Sequence, residues 1–196
     1  MPRDLTAEIS DDALLVLYAN GDAAAARALT ARLLPVVLAY ASRLLRDRAE
    51  AEDVAQEAMI RLWRIAPDWR QGEARVTSWL YRVVTNLCTD RLRAGRRRRA
   101  DALEDVPEPA DGAPDAEGAM IAADRQGALQ AALASLPERQ RQAVVLRHLE
   151  GLTNPEIAEV LGVGVEAVES LTARGKRALQ ALLAGRKEEL GYEESA

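Results

Sequence analysis

Glu166, Glu169 and Ser170 precede Arg174, Lys176 and Arg177 in the stretch "VEAVESLTARGKRAL". At about 100° per residue, Glu166, Glu169, Ser170, Arg174 and Arg177 fall on one side of a single helix, with Lys176 alongside. A carboxylate in a DNA major groove accepts a hydrogen bond from cytosine N4, and a guanidinium grips guanine or a phosphate. Such a face selects bases with its glutamates and draws affinity from its basic cluster. A second group is built for unpaired bases. Trp69 lies among polar residues in the loop "APDWRQGEARVT", and Arg82, Asn86, Thr89 and Arg93 follow at offsets of four, three and four, leading into Arg96 to Arg99. A ring to stack on, an amide for base edges and cations for phosphates suit single-stranded nucleic acid. A tryptophan folded back as a core plug fits the same loop. A third group, Asp53, Gln56, Glu57, Ile60 and Arg64, gathers on one side of a helix. An apolar residue framed by a carboxylate, an amide and a guanidinium suits protein docking, and equally a solvated face with one stray apolar residue.

The elements that must carry these groups are all helices. There is no sustained period-two alternation and no Phe, while Leu recurs at three- and four-residue spacing among Ala and Arg. The spacing predicts a first helix capped by Ser10 and stopped at Gly21, and a second over Ala23 to Leu45, bent or interrupted at Pro35. A third runs from Ala49 to Ile65, with Ala51, Val54, Ala58, Leu62 and Ile65 on its core face. A fourth, Ser78 to Arg93, buries Leu80, Val83, Val84 and Leu87. Near the C-terminus a helix begins at Pro137 and stops at Gly151, and Thr153 with Glu156 forms a capping box for the next. Ile157, Ala158, Leu161, Gly162, Val163, Val168 and Leu171 have helix-turn-helix spacing. In the second helix of that pair, Val165, Val168, Leu171, Thr172, Gly175, Leu179 and Leu182 face inward.

The formal net charge of −5 is unevenly placed. Residues 1–99 carry 17 basic and 13 acidic side chains, residues 100–124 carry none and 8, and residues 125–196 carry 9 and 10. The acidic middle, "ADALEDVPEPADGAPDAEGAM", mixes acids with Pro and Gly and lacks aromatics, the composition of a flexible linker. One cysteine, Cys88, excludes an intramolecular disulfide, and with a single histidine, His148, it argues against a Cys/His metal cluster. Cys88 reads as a small core residue and His148 as a solvated helix end. No apolar run approaches the roughly 20 residues of a membrane span, and the N-terminus lacks a signal-like apolar region, so the expected location is the cytoplasm. Paired catalytic carboxylates, a phosphate loop and a nucleophile motif are all missing, which argues against an enzyme.

The ordered combination "AEDVAQEAMIRLW", "DWRQGEARVTSWLYRVVTNLCTDRLRAGRRR", an acidic linker and "LPERQRQAVVLRHLEGLTNPEIAEVLGVGVEAVESLTARGKRAL" resembles the extracytoplasmic-function sigma factors of bacterial RNA polymerase over about residues 10–184. The resemblance implies an all-α chain of two small helical domains: sigma region 2 at 10–99 and a helix-turn-helix region 4 at 119–184, joined by a flexible acidic linker at 100–118 and followed by a charged tail at 185–196. It implies that Asp53, Gln56 and Glu57, with Ile60 and Arg64 on the same face, dock on the clamp helices of the largest polymerase subunit. Trp69 falls in the loop that captures a flipped base of the −10 element, and Arg82, Asn86, Thr89 and Arg93 match the −10 contacts. The second helix of region 4 then enters the −35 major groove. The implied partners are core RNA polymerase, promoter DNA and an anti-sigma factor, with no cofactor and no metal. Met59 stands where the family usually has Phe, Gly164 where Ser commonly caps the reading helix, and Glu169 and Leu171 where relatives are often basic, which leaves the −35 sequence open. Two other readings stay open: a stand-alone helix-turn-helix regulator, and a sigma-like decoy that titrates a regulator.

Overall fold

The computed structural model describes residues 9–72, 74–101 and 127–184. Most of the acidic linker and all of the C-terminal tail inferred from the sequence lie outside the described residues. Eight helical segments follow in order among those described: α1 (Asp11–Ala19), α2 (Ala23–Leu44), α3 (Arg48–Ile65), α4 (Val76–Asp101), a stretch α5 over 127–135, α6 (Glu138–His148), α7 (Asn154–Leu161) and α8 (Val165–Ala184). A 3-10 turn, Ala66–Asp68, extends α3.

Short polar side chains fix where the first helices begin. Ser10 Oγ accepts from the Ala13 amide at 3.3 Å, Asp22 Oδ1 from Ala24 at 2.7 Å, and Asp47 Oδ1 from Ala49 at 2.8 Å. Each satisfies an amide that the first helical turn leaves without a partner. At α7 the Thr153 amide and hydroxyl both donate to the Glu156 carboxylate, at 2.8 and 2.7 Å, completing the capping box. Those two bonds, the backbone one foremost, hold the Glu156 pKa below its ordinary value.

Three helix boundaries and faces depart from the sequence expectation. α2 passes through Pro35 without a break. The carbonyl that loses its donor belongs to Ala31, which like Pro35 is exposed, so water can take the place of the missing amide. α4 does not stop near Arg93 but carries the basic run as helix to Asp101. Arginine is a good helix former and Gly95 only slows the pattern. On α8, Val165 (40 % exposed) and Leu182 (45 % exposed) are not inward; both sit near the helix ends, beyond the part that α6 and α7 cover.

Contrary to the expectation from the sequence, α2 is long and apolar enough to meet the length and composition of a membrane span. Its apolarity has an internal use. Leu29, Leu33, Val37, Tyr40, Ala41 and Leu44 lie in the core, packed on α3 and α4, while Arg27, Arg32 and Arg43 interrupt the other faces. Tyr40 is wholly buried. Its hydroxyl lies 2.8 Å from Thr85 Oγ1, which donates onward to the Tyr81 carbonyl at 2.7 Å, so the buried polar chain is closed. Burial pushes the Tyr40 phenol far above its ordinary pKa.

α6, α7 and α8 form the second helical group. Ala143 to Leu146, Ile157, Val160, Leu161 and Val168 fill its interior. Gly162 ends α7 in the left-handed region at φ 63°, a backbone state that costs glycine nothing and so makes the turn into α8. Gly175 has a different role. A Cβ there would lie 2.5 Å from Val144 Cγ2 and 3.2 Å from the Gln140 carbonyl, so its absence lets α8 lie directly on α6. The buried side chains of both helical groups join one continuous cluster, and α4 packs against α7 as well as against α2 and α3.

Candidate nucleic-acid interface

α8 presents Glu166, Glu169, Arg174, Lys176 and Arg177 to solvent and keeps Ser170 half-exposed, while Val168 and Gly175 face inward. Arg174 Nη2 donates to Ser170 Oγ at 2.6 Å, one turn back. The guanidinium is therefore tied to its own helix face while it stays exposed. Thr172 turns a buried hydroxyl inward with no partner. His148, exposed at the end of α6, has its pKa lowered by partial burial and by Lys176 and Arg147, which places it among the basic side chains of this edge.

The α4 stripe is partly engaged. Asn86 and Arg93 are exposed, but Arg82 Nη2 donates to the Glu159 carbonyl of α7 at 2.8 Å, and Thr89 Oγ1 accepts from Gln142 of α6 at 3.0 Å. Trp69 is partly folded back onto the core. The ring is half-buried against the core, edge-on to Trp79 with centroids 6.3 Å apart, and Nε1 donates to Asp12 Oδ1 at 3.2 Å. Asp12 was not legible as a site residue, since 57 positions separate it from Trp69. Cys88 is buried beneath the stripe, its thiol pushed up to about 12 by desolvation, in keeping with a core role.

On α3 the core residues Ala51, Val54, Ala58 and Leu62 are fully buried, as is Met59 to within a few per cent, and Asp53, Gln56, Ile60 and Arg64 are exposed on the other side. Glu57, half-exposed, accepts from Arg61 Nε at 2.8 Å; that bond lowers its pKa and keeps the carboxylate charged. Asp53 lies 3.8 Å from Arg91 of α4. One turn from Ile60, Trp63 packs on Tyr18 with ring centroids 4.6 Å apart, and the two rings wall an open cavity of about 410 Å³ with Arg27 and Thr30.

What sequence reasoning missed is the seam between the two helical groups. Arg43 and the Tyr81 hydroxyl, the latter at 2.9 Å, converge on the buried carboxylate of Glu150, while Arg75 pairs with Glu156 at 3.1 Å and Arg96 with Glu138. Gln130 of α5 donates to the Ser42 carbonyl at the end of α2. The partners are 42 to 107 residues apart. The available signal was compositional: an Arg-rich helix in the first group and four glutamates around α6 and α7 in the second.

Residues 29–98 match sigma-70 region 2, and residues 126–179 match sigma-70, region 4. The chain is 36 % identical over 176 residues to the ECF RNA polymerase sigma factor SigM of Mycobacterium tuberculosis, covering 90 % of this chain and 86 % of that protein. It is 30 % identical to the ECF RNA polymerase sigma-E factor of Escherichia coli, covering 89 % and 95 %. Among solved structures, CnrH in complex with the cytosolic domain of CnrY superposes with a TM-score of 0.63 at 27 % identity, covering 89 % of this chain and 97 % of that one.

Proposed function

Because the chain belongs to the extracytoplasmic-function sigma factors of bacterial RNA polymerase, we propose a division of labour among its surfaces during promoter recognition. As a sigma factor it binds core polymerase, recognises the −35 and −10 elements and promotes opening of the duplex. The α3 face, with Asp53, Gln56, Glu57, Ile60 and Arg64, docks on core. Trp69 and the stripe Arg82, Asn86, Thr89 and Arg93 hold the −10 strand, and the α8 face reads −35. The family is one of non-enzymatic initiation factors; this chain contributes binding energy and leaves catalysis to the polymerase.

The observation that supports this reading is placement. The docking set on α3 and the reading set on α8 lie on exposed or half-exposed helix faces, Asn86 and Arg93 are exposed on α4, and the helix-turn-helix leaves its second helix open to solvent. A base extruded onto an aromatic ring gains about 1–3 kcal/mol of stacking, comparable with the few kcal/mol that unstacking costs. Strand capture of that size tips melting without chemistry. CnrH is recorded with the cytosolic domain of CnrY; by analogy an anti-sigma factor controls this chain as well. Its site of action is the cytoplasm, at the nucleoid once in holoenzyme.

Transcription in vitro with core polymerase on a genomic promoter library tests the reading. Promoter-dependent transcripts should appear only with this chain present, and Asn86→Ala or Trp69→Ala should impair permanganate-detected melting while core binding stays normal. Tight, specific DNA binding by the isolated chain would instead favour a stand-alone regulator.

At −35, Glu169→Gln should change base preference at a single position, by roughly 1–3 kcal/mol per mismatched pair. Arg177→Ala should weaken binding to all promoters alike. Selection from randomised −35 sequences reads both; identical base profiles for wild type, Glu166→Gln and Glu169→Gln would show that the glutamates do not read DNA.

A further inference from the structure

We infer that the second helical group is a built-in mask for the −10 face: in the absence of polymerase the chain closes on itself, and carboxylates of α6, α7 and their connection occupy the arginines of the first group as a DNA backbone would. The inference rests on the reading of α4 as the −10 face. Its substance is the seam. Arg75, Arg82 and Arg96, spread along α4 and the loop before it, are met by Glu156, the Glu159 carbonyl and Glu138 in turn, and Thr89 by Gln142. Arg82 and Thr89 cannot keep these partners and also contact an unpaired strand.

The latch is Glu150. Its side chain is 7 % exposed and lies in the connection between α6 and α7, held by Arg43 from α2 and by the Tyr81 hydroxyl from α4. A carboxylate this buried is stable only while its partners stay in place. The rest of the seam is built to part. Gln142 Oε1 and Arg141 Nε are buried there with no hydrogen-bond partner. Water satisfies both when the halves separate, which offsets part of the gain from closure. Meanwhile the docking residues Asp53, Gln56, Ile60 and Arg64 on α3 and the reading face of α8 remain exposed in the closed form. Polymerase can therefore engage α3 first, and −10 capture follows opening. DNA binding that depends on polymerase then has a structural cause beyond the net negative charge.

The test uses the full chain with fluorophores at Ala19→Cys and Gln180→Cys, read by energy transfer, together with the affinity for a pool of 20-nucleotide single-stranded DNA. Arg43→Glu and Glu150→Arg should each lower energy transfer, and Arg43→Glu/Glu150→Arg, with the ion pair reversed, should restore it. Arg43→Glu is the discriminating variant. It makes the chain more negative, yet unmasking predicts at least fivefold tighter DNA binding. Circular dichroism checks that each variant folds, and Tyr81→Phe, which removes one hydrogen bond to the latch, should open the chain partially should the charge variants fail to fold. Wild-type transfer as low as that of Arg43→Glu overturns the closed state. Opening by Arg43→Glu without tighter DNA binding overturns the masking. Permanganate-detected melting by Arg82→Ala holoenzyme separates the two claims: impaired melting with no gain from Arg43→Glu leaves the −10 reading standing and removes the mask, and normal melting removes the −10 reading itself.

Discussion

Ile60→Arg lowers the affinity for core RNA polymerase by about 30-fold or more, roughly 2 kcal/mol or above, the loss expected at a binding hot spot. Ile60 is 42 % exposed at the centre of the polar α3 face, and the buried side of the helix does not involve it. An arginine there replaces an apolar contact and adds a third cation to Arg61 and Arg64 nearby, without creating a cavity. The thermal unfolding midpoint should therefore stay within a degree or two of wild type. Competition against a labelled sigma factor for core enzyme measures the first quantity and calorimetry the second. Unchanged core affinity would return the α3 face to a plain solvated surface and move docking elsewhere.

Gly175→Ala should destabilise the second helical group by about 1–2 kcal/mol, the overpacking cost less the gain of alanine over glycine in a helix. The new methyl would meet Val144, whose branched side chain has essentially one rotamer in a helix, and the Gln140 carbonyl, which is fixed by α6 itself. Neither can give way without separating α6 from α8. Gly95→Ala is the contrasting case: it also lies inside a helix, but nothing approaches its missing Cβ within 4 Å. That change should raise stability by about 0.5–1 kcal/mol through helix propensity alone. Denaturant melts of the two variants read opposite signs; equal stability of Gly175→Ala and wild type would mean that α6 and α8 do not need their close approach.

The parts legible in the sequence are those governed by neighbours three or four residues away. The core face of α3, the caps at Ser10 and Thr153, and the helix-turn-helix glycine all follow from local periodicity and local hydrogen bonds. Boundaries were less legible. Nothing in "RLRAGRRRRAD" forbids helix, and α4 continues through it, whereas Val165 and Leu182 have inward spacing but no partner element alongside. The setting of the site residues was hidden for a different reason. Whether Arg82 is free or bound depends on where α7 comes to rest, and the hold of Asp12 on Trp69 depends on how α1 meets the loop after α3. These are tertiary facts between polar side chains, and polar patterning carries no period that would announce a distant partner.

The ion pairs that join the two helical groups differ in how far water reaches them, and this has a consequence for ions. The Arg75–Glu156 and Arg96–Glu138 pairs are solvent-exposed on the arginine side, at 76 % and 65 %, so added salt weakens them. The Glu150 side chain, 7 % exposed and held by Arg43, is screened much less. Raising the ionic strength therefore loosens the two ends of the seam before its centre.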